Sequence, residues 1–197
     1  MNAAIAPSPV RPPVKTAREV MEWPPGFSES LPGDHWHVAH ARPRQEKLLA
    51  HDLRRQGVAG LLFLENRTRV YEKSVQTFQV PLLGGYLFIH LSRERRHLAY
   101  ETGRVARLID VADPLRLRSD LEDLRLLLAA APHQPLVVRP ELVPGKRVLV
   151  TSGLFDGCYG VIERRKDAMY LVVNLPLLGR SVATVIPMSL IELASPA

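Results

Sequence analysis

A glycine-punctuated stretch, Val143–Ile162, constrains the fold most strongly. Eight consecutive residues of this stretch contain three glycines: Gly153, Gly157 and Gly160. Glycine tolerates positive φ and has no Cβ to obstruct a neighbouring strand, so such spacing suits a tight crossing between strands. Apolar residues alternate on either side of the glycines. The stretch therefore predicts two short strands of a small β-barrel, joined by a turn that exposes Leu154 and Phe155.

Length and composition favour two small domains. The chain has 197 residues, 46% of them hydrophobic, with a net charge of +6 and a pI of about 9.8. This basic balance permits contact with nucleic acid or with an acidic protein surface and requires neither. The single cysteine, Cys158, has no partner for an internal disulfide, and no apolar run approaches the ~20 residues that span a bilayer. We therefore expect a reducing, cytoplasmic setting.

Residues 1–33 contain seven prolines and little periodic hydrophobicity. Such a segment buries too little apolar surface to offset the entropy of ordering it, so we expect a disordered Pro-rich tail. The exception is Arg18–Trp23, where three apolar side chains either dock on the body of the protein, form a short partner motif or are an incidental cluster.

Residues 34–131 predict a front domain of alternating strands and helices. Periodicity and capping signals give strand His35–Ala41, helix Arg42–Gln56 with Pro43 at its first position, strand Leu61–Leu64, a hairpin or loop over Glu65–Gln79, strand Tyr86–Leu91, helix Arg93–Glu101, strand Val105–Val111 and a helix starting at the capping box Ser119–Glu122. This order favours an α+β, ferredoxin-like sandwich with an antiparallel sheet and its helices on one side.

One strand of this domain carries aromatic residues on a single face. Alternation places Tyr86 and Phe88 on the face opposite Leu87 and Ile89. If the helices cover only the aliphatic face, the aromatic face stays open to water or to a partner. The alternative is that a loop or the amino-terminal tail covers it.

Prolines bracket a linker over residues 132–142, and a second domain follows over residues 143–197. Its later strands are expected over Met169–Leu175 and Ser181–Pro187, which are rich in β-branched residues. Together with the glycine-rich stretch, they predict an SH3-like β-barrel.

The residues give no support for an enzyme or a metal protein. His35 and His37 alternate to one face and His40 to the other, and no cysteine or carboxylate cluster completes a metal site. Phosphate-binding and nucleophile motifs are also absent from the sequence. We expect no catalytic residue, no metal and no cofactor.

Residues 35–193 resemble transcription factors of the NusG/RfaH type, in which an NGN domain precedes a KOW domain. The resemblance rests on five features in the order of the family: Trp36-His-Val, the helix Arg42–Gln56, the run Val80-Pro-Leu-Leu-Gly-Gly-Tyr-Leu-Phe-Ile89, the stretch Gly145–Ile162, and Leu178-Gly-Arg180. Gly84 departs from the proline that the family usually has there.

The resemblance implies that the NGN domain binds RNA polymerase at its clamp helices and suppresses pausing. Trp36, Tyr86 and Phe88 match the polymerase-binding region. Arg42 and Arg44 match positions where several relatives place basic residues near DNA, which implies a nucleic-acid contact; the alternative is a solvated helix start.

The same resemblance implies that the KOW domain recruits either Rho or a small-subunit ribosomal protein. Leu154, Phe155 and Gly157 lie at the matching turn, although Phe155 folded inward as a plug of the barrel is an equal alternative. The resemblance therefore implies a monomeric elongation or antitermination factor. The Pro-rich tail slightly favours an operon-specific paralogue like RfaH. The competing reading is a KOW-containing RNA-binding or ribosome-associated protein.

Overall fold

The structure is a computed structural model of the chain. It describes residues 18–26, 35–71, 74–130, 132–145, 147–166, 168–186 and 193–194. The strands are β1 Arg18–Trp23, β2 Trp36–Ala41, β3 Ala59–Tyr71, β4 Ser74–Pro81, β5 Tyr86–His90, β6 Val105–Asp110, β7 Leu136–Arg139, β8 Arg147–Val150, β9 Tyr159–Arg165, β10 Ala168–Leu175, β11 Arg180–Ile186 and β12 Leu193–Ala194. The α-helices are α1 Glu46–Arg55, α2 Arg96–Glu101 and α3 Pro114–Ala130.

The described strands form two antiparallel sheets. The front sheet has the order β1-β3-β5-β2-β6, with β4 paired to the far end of β3. The rear sheet has the order β12-β8-β9-β10-β11-β7. Mixed α and β structure with antiparallel sheets is what the sequence predicts. The rear sheet is a row of six strands, and the described pairs include none that would close it into a barrel.

The front sheet has helices on both sides, so the prediction of helices on one side is wrong. Leu49 and Leu53 of α1 and Ala99 of α2 pack in a core with the aliphatic face of the sheet. The leucines of α3 pack in a second core with the aromatic face. This second core also contains residues of the rear sheet, so α3 lies between the two sheets and joins them.

Two predicted helix starts are misplaced. Helix α1 begins at Glu46 rather than at Arg42, because the chain first makes a turn in which Arg44 has a φ of 62°. Helix α3 begins at Pro114, before the expected capping box at Ser119. There Asp113 Oδ1 accepts the backbone N–H of Arg116 at 2.9 Å, and proline, which lacks the unneeded N–H, opens the first turn.

The segment Arg18–Trp23, which the sequence sets apart from the expected tail, is an edge strand of the front sheet, so the alternative in which it docks on the body is confirmed. It pairs with β3 from Glu65 to Gly60. Trp23 is buried, and its Nε1 donates to the carbonyl of Val58 at 2.6 Å. A Cβ on Gly60 would lie 2.5 Å from the Trp23 ring, so the glycine makes room for the indole. The remainder of residues 1–33 lies outside the described residues, apart from 24–26.

The expected linker also contains a strand. Residues 136–139, which the prolines predicted to lie between the domains, form β7 and pair with β11. The connection between α3 and the rear sheet is therefore residues 131–135.

Candidate functional site

The aromatic face of the front sheet is covered, so the expectation of an open face is wrong. Trp36 and Phe88 are 3% and 1% exposed. Phe88 meets the edge of the Phe63 ring, with centroids 6.0 Å apart. Both residues belong to the core that α3 shares with the rear sheet. Neither side chain is available to a partner in this arrangement.

Helix α3 supplies the cover through one stripe of buried leucines. Its buried leucines share the core with the aromatic face and with rear-sheet residues: Leu117, Leu121, Leu124, Leu127 and Leu128. An apolar stripe on a helix packs against a core, whereas the opposite side of α3, which includes Arg118 and Glu122, is exposed. The stripe reaches residues of both the front sheet and the rear sheet.

Tyr86 is the part of the predicted polymerase site that remains accessible. It is half-buried and pairs across the strands with His40, whose ring stacks on it with centroids 4.9 Å apart. The guanidinium of Arg180, from the rear sheet, lies 5.0 Å from the centre of the Tyr86 ring. This contact is a cation–π interaction between the two parts of the chain.

The turn before β5 fixes the position of Tyr86. Gly85 has a φ of 88°, and its N–H donates to the buried carboxylate of Glu46 at 2.9 Å. The carbonyl of Gly85 accepts the N–H of Ala41 at 2.8 Å. A side chain at Gly85 would meet the His40 ring at 3.0 Å, so glycine suits this turn for both conformation and space.

His40 and Arg180 were not expected as neighbours of Tyr86. His40 has the same strand parity as Trp36, and that alternation could have placed it on the aromatic face. Arg180 reaches Tyr86 from the rear sheet across the join between the domains, and no local pattern in the sequence signals such a contact.

Arg42 and Arg44 lie at the turn between β2 and α1, and both side chains are exposed. The N–H of Arg42 donates to the carbonyl of Arg104 at 2.7 Å, which ties this turn to the start of β6. Arg104 in turn binds the carboxylate of Asp52 at 2.7 Å. The two exposed arginines therefore lie on a turn that is hydrogen-bonded to the rest of the front domain. Such a position allows them to contact a phosphate.

The predicted partner-binding turn of the rear domain contains both buried and exposed residues. Phe155 is 2% exposed and packs in the shared core, so its prediction as an exposed docking residue is wrong. Its turn, Gly153–Phe155, lies against α3, which local sequence could not reveal. Leu154 is 52% exposed, and Gly157 is exposed with a φ of 80°.

Ion pairs accompany the apolar contact between α3 and the rear sheet. Arg147 of β8 approaches the carboxylate of Asp123 to 2.5 Å and also lies 4.5 Å from the centre of the Tyr159 ring. Asp120, one turn earlier on α3, binds Arg116 at 2.9 Å. Burial raises the pKa of both carboxyl groups despite these arginines. The ion pairs therefore offset only part of the cost of burying the two charges.

The histidines near the start of the front domain do not gather around a common point. His37 is buried, and its Nε2 lies 3.1 Å from Asp110, while His40 stacks on Tyr86. Burial lowers the pKa of His37. Across the described ranges no group of three or more potential metal ligands occurs. Nor does this part of the chain contain a helix long and apolar enough to cross a membrane.

The front domain is similar to a known family. Residues 34–124 match the model of the NusG family, described as transcription termination factor nusG. The match runs from just before β2 into α3 and includes Trp36, Tyr86 and Phe88. No curated protein matches the chain. Over residues 34–124, which are 91 of its 197 residues, the chain is therefore similar to transcription factors of the NusG family.

Proposed function

We propose that this chain is a transcription elongation or antitermination factor that binds RNA polymerase through its front domain. Proteins of the NusG family generally bind RNA polymerase. The assignment to this site rests on Tyr86, a half-buried aromatic side chain that follows a hydrogen-bonded turn at the end of the aromatic face. Amphipathic aromatic residues are favoured anchors of protein interfaces.

In this proposal the polymerase clamp region first meets Tyr86 and displaces the guanidinium of Arg180 from its ring. Trp36 and Phe88 lie deeper in the same core and join the contact only when α3 or the rear sheet withdraws. Arg42 and Arg44 contact the phosphates of nearby DNA. In the closed arrangement, α3 and the rear sheet cover Trp36 and Phe88. The affinity for polymerase is therefore lower than when all three aromatic residues are accessible.

We propose that the rear sheet is a KOW domain. We also propose that its strands close into an SH3-like β-barrel. Leu154 is its exposed contact for Rho or a small-subunit ribosomal protein, with Phe155 and Gly157 at the same turn. Phe155 becomes available only when its turn separates from α3. We further propose that the protein is cytoplasmic, has no enzymatic activity and acts as a monomer. Its role is that of an operon-specific paralogue like RfaH.

The test is a binding assay with core RNA polymerase and the full chain. Tyr86→Ala should weaken binding at least tenfold, because loss of an aromatic anchor at an interface costs about 2 kcal/mol or more. Tyr100→Ala is the matched control, since Tyr100 is 50% exposed on α2. Arg180→Ala should strengthen binding, because it uncovers the Tyr86 ring.

Equal binding by Tyr86→Ala and wild type would refute the assignment of the site. Equal loss in Tyr86→Ala and Tyr100→Ala would also refute it. Both variants need unfolding midpoints close to wild type, which urea titration establishes before the binding assay.

A further inference from the structure

The β3–β4 ribbon, residues 66–71 and 74–80, extends the front sheet beyond its covered part. Its strands pair from Asn66 opposite Gln79 to Tyr71 opposite Ser74. Four of its large apolar side chains are exposed: Val70, Tyr71, Val75 and Phe78, at 67%, 47%, 66% and 40%. The two aromatic residues, Tyr71 and Phe78, share one face of the ribbon, and the two valines share the other.

The two faces of the ribbon differ in chemistry. Directly opposed residues share a face, so one face, here called the arginine face, carries Arg67, Arg69, Tyr71, Gln76 and Phe78. The other face carries Asn66, Thr68, Val70, Val75, Thr77 and Gln79. Alternation along β3 continues the arginine face from Phe63, so it lies on the aromatic side of the front sheet.

The charge of the arginine face favours an anionic partner. The described residues of the ribbon include two arginines and no carboxylate. Glu65, at the base of the ribbon, is largely buried and binds Arg67 at 2.5 Å. A guanidinium has five N–H donors, so this pair leaves donors on Arg67 for a second anion. Arg69 lies farther out and is exposed.

We propose that the arginine face binds single-stranded nucleic acid, with Phe78 and Tyr71 stacking on bases and Arg69 and Arg67 contacting phosphates. Aromatic side chains interleaved with cations on a strand surface are the general means of binding unpaired strands, because every base has a face to stack on. Arg67 sits directly opposite Phe78 and therefore places a cation beside the stacking ring. This site is separate from Arg42 and Arg44 and needs no bound polymerase.

The experiment measures fluorescence anisotropy of a labelled 15-nucleotide single strand titrated with the full chain. Separate arms use DNA, RNA of the same sequence and the DNA duplex. The test variants are Arg69→Ala, Phe78→Ala and the pair combined. The control, Val70→Thr with Val75→Thr, alters the opposite face of the same ribbon. Circular dichroism and urea unfolding verify that each variant is folded.

We expect Phe78→Ala to weaken binding of the single strand roughly 5- to 150-fold, which corresponds to the loss of one stacked base. Arg69→Ala should reduce the slope of log K against log salt by about 0.7, the value for one phosphate contact on a single strand. The valine control should bind within about twofold of wild type, on general surface-substitution grounds. The DNA and RNA arms identify which strand is preferred.

Three results would overturn the proposal. The first is that wild type binds no single strand or prefers the duplex. The second is that the arginine-face variants bind the single strand as wild type does, or lose no more than the valine control. The third is that they weaken binding of core polymerase in the absence of nucleic acid while oligonucleotide affinity is unchanged, which would make the ribbon a protein contact.

Discussion

Arg147→Ala should destabilise the join between α3 and the rear sheet, and acid should relieve the defect. The substitution leaves the carboxylate of Asp123 buried, at 6% exposure, without the arginine that approaches it to 2.5 Å. Removing one partner of a fully buried pair costs about 3–5 kcal/mol. The Arg147 side chain is 41% exposed, so solvent already screens the pair, and we expect about 2–3 kcal/mol at pH 7.

The sign of the pH dependence follows from Asp123. Burial raises the pKa of this carboxyl in the folded protein, so its contribution to stability is fully present below its unfolded pKa. That contribution is lost as the pH rises through the folded value. Arg147 lowers this pKa, so its removal raises the folded pKa further. The loss of stability then continues to higher pH and becomes larger. The difference in stability between variant and wild type should therefore shrink as the pH falls from 7 towards 4.

The assay is urea unfolding followed by tryptophan fluorescence at pH 7, 5.5 and 4.5. Asp123→Asn keeps an oxygen acceptor for Arg147 and removes the buried charge, so it should cost less than about 1 kcal/mol. Combining it with Arg147→Ala should recover most of the loss at pH 7. A defect in Arg147→Ala that is the same at all three pH values, or an equal defect in Asp123→Asn, would refute this account of the join.

Three further substitutions test other contacts by the same unfolding assay. Trp23→Ala should cost about 3–5 kcal/mol, because it empties a buried site on the edge strand, whereas Met21→Ala on the same strand should cost less than about 0.5 kcal/mol; similar values would show that β1 is not docked. Gly60→Ala should destabilise by about 1–3 kcal/mol, since its Cβ would lie 2.8 Å from the carbonyl of Phe88, and wild-type stability would disprove that packing. His37→Asn should flatten the loss of stability as the pH falls through about 6.5, because burial lowers the folded pKa of His37 and the unfolded chain then binds more protons; an unchanged pH profile would count against it.

Local signals in the sequence predict the front domain well. Gly57 ends α1 with a φ of 67°, and alternation over Tyr86–His90 places the aromatic and aliphatic residues on the faces that the structure gives them. The hairpin option over Glu65–Gln79 is confirmed by the pairing of β3 with β4. These features depend on neighbouring residues, which the sequence displays directly.

Features that depend on distant contacts were not predictable in the same way. The leucines of α3 indicate a helix, yet they do not say which face of the sheet it covers, and that choice decides whether Phe88 is exposed. Phe155 has the local surroundings of a turn tip, and only the position of α3 buries it. The sequence could not decide whether Arg18–Trp23 docks or is an incidental cluster, because the partner of β1, strand β3, lies some forty residues further along the chain.

The short connection between α3 and β7 sets how far the rear sheet can travel when it is released. Residues 131–135 reach at most about 17 Å when fully extended. A sheet held on so short a tether stays at an effective concentration of roughly millimolar around the surface it has left. Even a weak contact then re-forms once a competitor departs. Under the proposed function, release of the rear sheet lasts only while a partner occupies the exposed surface, and the closed arrangement re-forms when that partner leaves.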